Sequence, residues 1–127
     1  MKKIVAPKEL PKTVGYSRAV RVGDFLFISG QISEDSKGRI VGEGDFEKQT
    51  RQAFENLRAV VNAEGGTLED IVKMTIYLTD MSNLAKFRKI RSEYFKRDYP
   101  ASTLIEVKGL ISKKLLVVID AIAALRK

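Results

Sequence analysis

Apolar and polar residues alternate most regularly between positions 72 and 79. The apolar set is Val72, Met74, Ile76 and Leu78. The polar set is Lys73, Thr75, Tyr77 and Thr79. Because neighbouring side chains on an extended chain point to opposite faces, this segment predicts a β-strand with one well-buried face.

The most apolar segment covers residues 115–125 and reads LLVVIDAIAAL. Its apolar residues occupy both faces of a strand, which is typical of strands buried on both sides. Asp120 is its single polar residue, and a lone carboxylate there is costly unless it is paired, hydrogen-bonded or protonated. Such carboxylates often belong to functional sites, but a structural ion pair or a position at the solvent edge of the strand would explain Asp120 equally well.

A first amphipathic helix is predicted from Asp45, as its cap, to about Ala63, and Gly65-Gly66 ends it. Its apolar face comprises Phe46, Ala53, Leu57, Val60 and Val61. These residues recur at helical spacing. The following segment, 67–70, fits a capping box and predicts a short turn before the next strand.

A second helix is predicted to begin at Ser82 or Asn83 and to end before Pro100. Its apolar stripe is Leu84, Phe87, Ile90 and Tyr94. Three more strands are predicted at 19–22, 25–28 and 39–41, the first two joined by the turn Gly23-Asp24. A further strand is predicted at 102–107, before the final one.

These elements give the order β-β-β-α-β-α-β-β and predict a single α+β domain over residues 1–127, with a mixed sheet. Two helices can cover only one face of that sheet. Because the last strand is apolar on both faces, we expect another copy of the chain to cover the second face, with ligand sites at the subunit junctions. The alternative is a monomer whose N-terminal segment folds over that face.

Composition narrows the possible chemistry. The chain has no histidine and no cysteine, which excludes imidazole catalysis, thiolate nucleophiles and metal sites built on either residue. Any catalysis must rest on carboxylates, Lys and Arg, hydroxyls, backbone groups and water. The net charge of +7 permits nucleic acids or anionic metabolites as ligands without establishing either.

The chain has no apolar stretch of about 20 residues, which a membrane span requires. No long apolar segment follows the N-terminal lysines, so a secretory signal is not expected. These features predict a cytoplasmic protein. The 31% of charged residues and the absence of cysteine are weak indications of a thermophilic source.

Three segments, in this order and spacing, resemble the RidA/YjgF family over nearly the whole chain. The segment 22–31, VGDFLFISGQ, is similar to the early hairpin of the family, and 70–81, DIVKMTIYLTDM, is similar to its central strand. The segments 99–107, YPASTLIEV, and 119–123, IDAIA, are similar to its C-terminal signature.

The resemblance implies a chorismate-mutase-like α+β fold and a homotrimer with clefts between subunits. It also implies hydrolysis of reactive 2-imino or enamine acids to 2-keto acids and ammonia, without metal or cofactor. Tyr16 matches the tyrosine that closes the cleft, and Ser29, beside Gly30, matches a serine that lines it. Asp120 matches the acidic residue that holds the attacking water, together with the backbone carbonyl at the position of Leu104.

The chain departs from the family pattern where the substrate carboxylate is held. Active deaminases carry an arginine directly after Pro-Ala, whereas this chain has Ser102. A hydroxyl supplies neither the charge nor the fork of a guanidinium, and losing a charge-assisted contact weakens binding by roughly 1.5–3 kcal/mol. Arg88 replaces a family asparagine, and Asp120 replaces the usual glutamate.

Several roles therefore stay open. Arg88, on the second helix, could bind the substrate carboxylate in place of the missing arginine, and Arg18 is a second candidate. Otherwise Arg88 is a solvated residue of a basic helix surface. Ser102 and Thr103 could offer hydroxyls to a ligand.

The sequence leaves three functions in competition. The first is an imine deaminase with an altered carboxylate clamp. The second is a trimeric protein that binds a small carboxylate or imino acid and has lost the chemistry. The third is a nucleic-acid protein, which is not favoured because the basic residues are scattered and no aromatic platform accompanies them.

Overall fold

A computed structural model describes residues 1–125. Within this part the strands are β1 (Lys2–Val5), β2 (Ala19–Val22), β3 (Phe25–Gln31), β4 (Ile71–Leu78), β5 (Ala101–Glu106) and β6 (Val117–Ala124). The helices are α1 (Phe46–Ala63) and α2 (Leu84–Tyr94), and short 3-10 turns precede β4 and α2. The observed order is β-β-β-α-β-α-β-β, as predicted, although one of the three early strands is not the predicted one.

The strands form one mixed sheet in the order β1-β2-β3-β6-β4-β5. Only β4 and β5 run parallel to each other, and the other neighbours are antiparallel. Both helices lie on the same face of the sheet, where Phe54, Leu57, Phe87 and Ile90 are fully buried in one core with Ile76 of β4. This single layer of helices accounts for the core.

The first helix and its flanks follow the sequence prediction. The Asp45 carboxylate accepts a hydrogen bond from the Lys48 backbone N–H at 3.0 Å, so it caps α1. Gly65, with φ +81°, follows the end of the helix, in a conformation that other residues adopt only with strain. The capping box is present, because the Asp70 carboxylate accepts from the Thr67 N–H.

The prediction of a strand at 39–41 was wrong. Ile40 forms only an isolated bridge with Glu34, and the Asp35 carboxylate accepts hydrogen bonds from the backbone N–H groups of Lys37 and Arg39. That carboxylate folds the segment into a loop. The third early strand is instead β1, which sequence reasoning missed because two lysines and exposed residues hide its alternation.

Two details of the helix-side elements also differ from expectation. A bulge between Ile71 and Lys73 turns Val72 outward, where it is 43% exposed, and Ile71 takes the buried position instead. Asn83, one of the two predicted positions, is the N-cap of α2, but its side chain makes no cap hydrogen bond. Asp80 caps the 3-10 turn before α2, where its carboxylate accepts from the Ser82 N–H.

The second face of the sheet carries no helix and is largely apolar; we call it the open face. Its exposed apolar members include Ile4, Val22, Phe25, Phe27 and Ile105, and half-buried Val118 and Ile122 lie beside them. Phe25 and Phe27 remain 50% and 46% exposed. The N-terminal segment does not cover this face, because β1 extends the sheet at its edge by pairing with β2.

Gly30 occupies a bulge of β3 in which the two strands approach unusually closely. A Cβ atom on Gly30 would lie 2.6 Å from Val118 Cγ1, on the adjacent strand β6. We therefore expect Gly30→Ala to lower the free energy of unfolding by about 1–3 kcal/mol, as overpacking does. The measurement is urea denaturation.

Gly109→Ala is the matched control, because nothing lies within 4 Å of its added Cβ and its φ is not positive. It should leave stability within a few tenths of a kcal/mol or raise it slightly. Adding Val118→Ala to Gly30→Ala should recover part of the loss. If Gly30→Ala is as stable as Gly109→Ala, the close approach does not constrain this bulge.

Candidate functional site

Asp120 lies on the open face, in the middle of β6. On the adjacent strand β4, its register partner is Thr75. On the β3 side, Asp120 stands opposite the bulge between Ile28 and Gln31. The phenol of Tyr77 donates a hydrogen bond to Asp120 Oδ2 at 2.8 Å. The carboxylate is half-buried, so it is neither sealed in the core nor free in solvent.

The Tyr77 phenol, and not a cation, supports this carboxylate. Among residues 1–125 no lysine or arginine nitrogen lies within 4.0 Å of Asp120, so an ion pair within the described chain does not explain it. The hydrogen bond to Asp120 is the main factor that raises the pKa of Tyr77, with burial and the carboxylate charge adding to it. Tyr77 therefore stays protonated and keeps donating at neutral pH.

Lys73 brings a positive charge to the same face. Its Nζ donates to Thr75 Oγ1 and Thr103 Oγ1, both at 3.3 Å, and to the Met74 carbonyl at 3.1 Å. Thr75 stands between Thr103 and Asp120 in the register of the three strands. Sequence reasoning missed Lys73 and Tyr77, although their alternation with Met74 and Ile76 already placed them on the face opposite the core.

Tyr16, Ser29 and Gly30 lie beside Tyr77, the hydrogen-bond partner of this carboxylate. Together with Tyr77 they line a cavity of about 440 Å³, and Ser29 also lines a shallow depression that contains Asp120. Ser29 donates through Oγ to the Ser17 carbonyl at 2.7 Å. Tyr16 is 58% exposed. We call these residues the carboxylate half-site: Tyr16, Ser29, Gly30, Tyr77 and Asp120.

Ser102 and Arg88 lie on the other side of the sheet. Ser102 pairs with Met74, which is fully buried on the helix side. With α2 it forms a groove of about 290 Å³, which we call the arginine groove. Its lining includes Arg88, Arg91, Ser92, Phe95, Tyr99 and Ser102.

One chain therefore does not bring all the candidate residues together. Ser102 and Thr103 are adjacent in β5, so their side chains point to opposite faces, and only Thr103 shares the face of Asp120. Leu104 pairs with Ile76 and packs its side chain against the core. It lies on β5, which is an edge of the sheet, so part of the backbone of that strand faces outward.

Arg18 has a structural role. It is 5% exposed, and its Nη1 donates to Gln31 Oε1 at 3.1 Å and to Glu34 Oε2 at 3.0 Å. Its Nη2 donates to the Pro11 carbonyl at 2.7 Å. These contacts fix the loop before β2, and the suggestion that Arg18 replaces the missing arginine was wrong.

Within residues 1–125 no three acidic side chains cluster closely enough to hold a metal ion. In the same part of the chain, no helix is both long enough and apolar enough to cross a membrane.

Comparison with known proteins decides the family. Residues 6–125 match the family named endoribonuclease L-PSP. A RutC family protein of Pyrococcus horikoshii is 43% identical over 124 residues, which cover 97% of this chain and 98% of the relative. The chain belongs to the RidA/YjgF family.

Other members of the RidA/YjgF family agree with this assignment. The 2-iminobutanoate/2-iminopropanoate deaminase of Dermatophagoides farinae is 31% identical over 110 residues, 86% of either chain. A Rid family protein of Yersinia pestis has a crystal structure that superposes with a TM-score of 0.92 at 38% identity, covering 98% of this chain and 100% of that one. The expected chorismate-mutase-like fold is confirmed.

The hydrogen bond between Tyr77 and Asp120 should be visible in an alkaline titration. The phenol donates only while it is protonated, so the bond stabilises the fold below the ordinary tyrosine pKa of about 10 and is lost as the pH rises through the raised pKa of Tyr77. Burial, and then the bond to Glu55, raises the pKa of Tyr94 to about 12. The titration is therefore best measured in a Tyr94→Phe background, by phenolate absorbance.

In that background we expect the Tyr77 phenol to ionise late, at a pH above the ordinary tyrosine pKa of about 10. Adding Asp120→Asn should move this late phenol toward the ordinary pKa, and adding Tyr77→Phe should remove it. Identical titration curves with and without Asp120→Asn would contradict the proposed pairing.

Proposed function

We propose that this protein hydrolyses 2-imino acids and their enamine tautomers to 2-keto acids and ammonia, in clefts between the subunits of a homotrimer. One observation carries the proposal: Asp120 is a half-buried carboxylate that has a phenol donor and, within residues 1–125, no cation within 4.0 Å. Its free lone pairs can bind and orient a water molecule. The similarity to an imine deaminase supports the same chemistry.

The positions of the two groups support this proposed assembly. The carboxylate half-site and the arginine groove lie on opposite sides of one sheet, so a single chain cannot direct both at one small molecule. A second copy that covers the apolar open face can bring its own arginine groove beside Asp120. We therefore propose that each cleft takes one group from each of two neighbouring subunits.

In the proposed reaction, Asp120 and the Leu104 carbonyl hold a water molecule near the imine carbon. The water oxygen attacks the carbon of the protonated imine while the carboxylate accepts a proton from the water, and a neutral carbinolamine forms. The neutral acid form of Asp120 then gives that proton to the carbinolamine nitrogen. The C–N bond breaks as the hydroxyl oxygen forms the C=O bond and returns its proton to the Asp120 carboxylate, and ammonia and the 2-keto acid leave. Tyr77 keeps the carboxylate in position by its hydrogen bond.

Arg88 holds the substrate carboxylate in this proposal. It lines the same groove as Ser102, and among residues 1–125 no acidic side chain forms an ion pair with it. A guanidinium offers two parallel N–H donors to a carboxylate, which a serine cannot. The charge lost at position 102 is therefore supplied from α2.

The second candidate function is binding without turnover, and Ser102 favours it. If the Arg88 guanidinium holds a carboxylate in a different place from the usual arginine, the imine carbon lies too far from the water on Asp120. Thermal-shift screening with small carboxylates separates the two functions, because a ligand that is bound but not consumed raises the melting temperature persistently.

The deaminase proposal is tested with 2-iminopropanoate generated in situ by an amino-acid oxidase. We expect the protein to accelerate imine loss above buffer, and Asp120→Asn to lower kcat by about a hundredfold or more, as the loss of a general acid–base does. The readout is imine trapped with semicarbazide over time.

Glu9→Gln is the matched control, since Glu9 is exposed and lies outside the carboxylate half-site and the arginine groove; it should retain full activity. No acceleration by the folded, assembled wild-type protein would reject the deaminase proposal. Equal activity of Asp120→Asn and wild type would reject the role of Asp120.

The proposed assembly is tested by sedimentation. We expect the wild-type chain to sediment as a trimer. Phe27→Asp should give smaller species and lose imine hydrolysis, because it places a charge in the centre of the apolar open face. Ala85→Asp is the control: it adds the same charge at an exposed site near the start of α2, where the helix dipole tolerates it. A trimer that survives Phe27→Asp would show that the open face is not the interface.

A further inference from the structure

The arginine groove contains two cations where a single carboxylate needs one. Arg88 and Arg91 stand three residues apart on α2, and the groove is also lined by Ser92 of the helix and by Phe95, which directly follows it. Residues at this spacing have Cβ atoms only about 5–6 Å apart. The helix therefore presents two neighbouring guanidiniums to one cavity.

Neither guanidinium is used elsewhere in the described chain. Within residues 1–125, no acidic side chain lies within 4.0 Å of Arg88 or Arg91, and neither side chain donates a hydrogen bond to the protein there. Arg51 and Arg58, on the helix α1 that packs against α2, pair instead with Glu93 and Glu55. The two groove arginines thus keep their donors for a ligand.

Arg91 is also held in place. Its Cζ lies 5.4 Å from the centroid of the Phe87 ring, within the range of a cation–π contact, and the side chain is half-buried. A partly desolvated guanidinium without an acidic partner gains from an anion that reaches it. No acidic residue lines the groove, whose walls include buried Met74 and Phe95.

We propose that Arg91 is a second anion-binding residue and that the preferred substrates are 2-imino dicarboxylates. Arg88 holds the carboxylate next to the imine, and Arg91 holds the carboxylate of the side chain. A groove of about 290 Å³ suits a small diacid of four or five carbons. This inference rests on the proposed function, since it names the substrate class of that site.

The test compares 2-iminosuccinate with 2-iminobutanoate, both generated in situ by amino-acid oxidases. They have the same number of carbons and differ in the terminal carboxylate. We expect kcat/KM to be at least tenfold higher for 2-iminosuccinate. Arg91→Gln should lower the ratio of the two kcat/KM values by about 10- to 100-fold, the effect of losing one charge-assisted contact.

Lys86→Gln is the matched control, because it removes one positive charge from an exposed position of the same helix outside the groove lining. If Lys86→Gln lowers the ratio as much as Arg91→Gln does, the preference comes from the general positive field and the assignment of Arg91 is overturned. Stronger competition by inorganic phosphate than by succinate would also overturn it, since the groove would then be a phosphate site.

The two proposals fail in different ways. Turnover of 2-iminobutanoate at a rate equal to or above that of 2-iminosuccinate overturns the dicarboxylate inference and leaves the deaminase function standing. If neither imine is hydrolysed, calorimetry with succinate and butanoate decides the inference separately. Tighter binding of succinate than of butanoate, weakened by Arg91→Gln, supports the anion-binding role of Arg91 although the deaminase proposal fails. Equal binding of the two acids overturns the dicarboxylate inference as well.

Discussion

The bond between Tyr77 and Asp120 is the contact on which the proposed site depends. An ionised carboxylate in an apolar strand needs compensation, and a lysine or arginine in direct contact would supply it while occupying the oxygens. The phenol supplies one hydrogen bond at 2.8 Å and leaves the remaining lone pairs available. The structure thereby stabilises the charge without neutralising it, which is the condition a water-binding base requires.

The position of this pair depends in turn on the irregular part of the sheet. Asp120 stands opposite the β3 bulge, where an ordinary ladder would place a paired side chain over it. The bulge brings Gly30 so close to Val118 that a Cβ has no room. Ser29 therefore lines both the depression at Asp120 and the neighbouring cavity with Tyr16. Bulges of this kind often redirect side chains next to functional sites.

The regular elements could be predicted from the sequence because their periodicity reflects burial. The α1 stripe and the alternation in β4 each report one face against the core, and both predictions located their elements to within about a residue. The segment with Lys2 and Lys3 carries no such signal, since most of it is exposed at a sheet edge. Ile40 had a strand-like composition, but the Asp35 carboxylate satisfies the local backbone and makes a loop.

The candidate site was harder to predict, because the periodicity of apolar residues does not determine how strands are paired and in which register. Asp120 was found from its isolation among apolar residues, but its partner Tyr77 is 43 positions away. Ser102 and Thr103 were both considered as hydroxyl donors to a ligand, although adjacent strand residues point to opposite faces. Similarly, Arg18 has a suitable charge near Tyr16, and only the contacts with Gln31 and Glu34 show that it is already committed.

The separation of the two half-sites has a chemical consequence for the proposed enzyme. Had Arg88 and Asp120 faced each other within one chain, they could have paired and neutralised each other in the absence of substrate. On opposite sides of a sheet they cannot pair within one chain, and in the proposed cleft they act on opposite ends of the substrate. In the proposed cleft, a 2-imino acid then arrives as an anion between a cation-bearing groove and a base. Binding of the substrate carboxylate can thus orient the imine carbon toward the water on Asp120. Such positioning lowers the entropic cost of bringing the two reacting groups together.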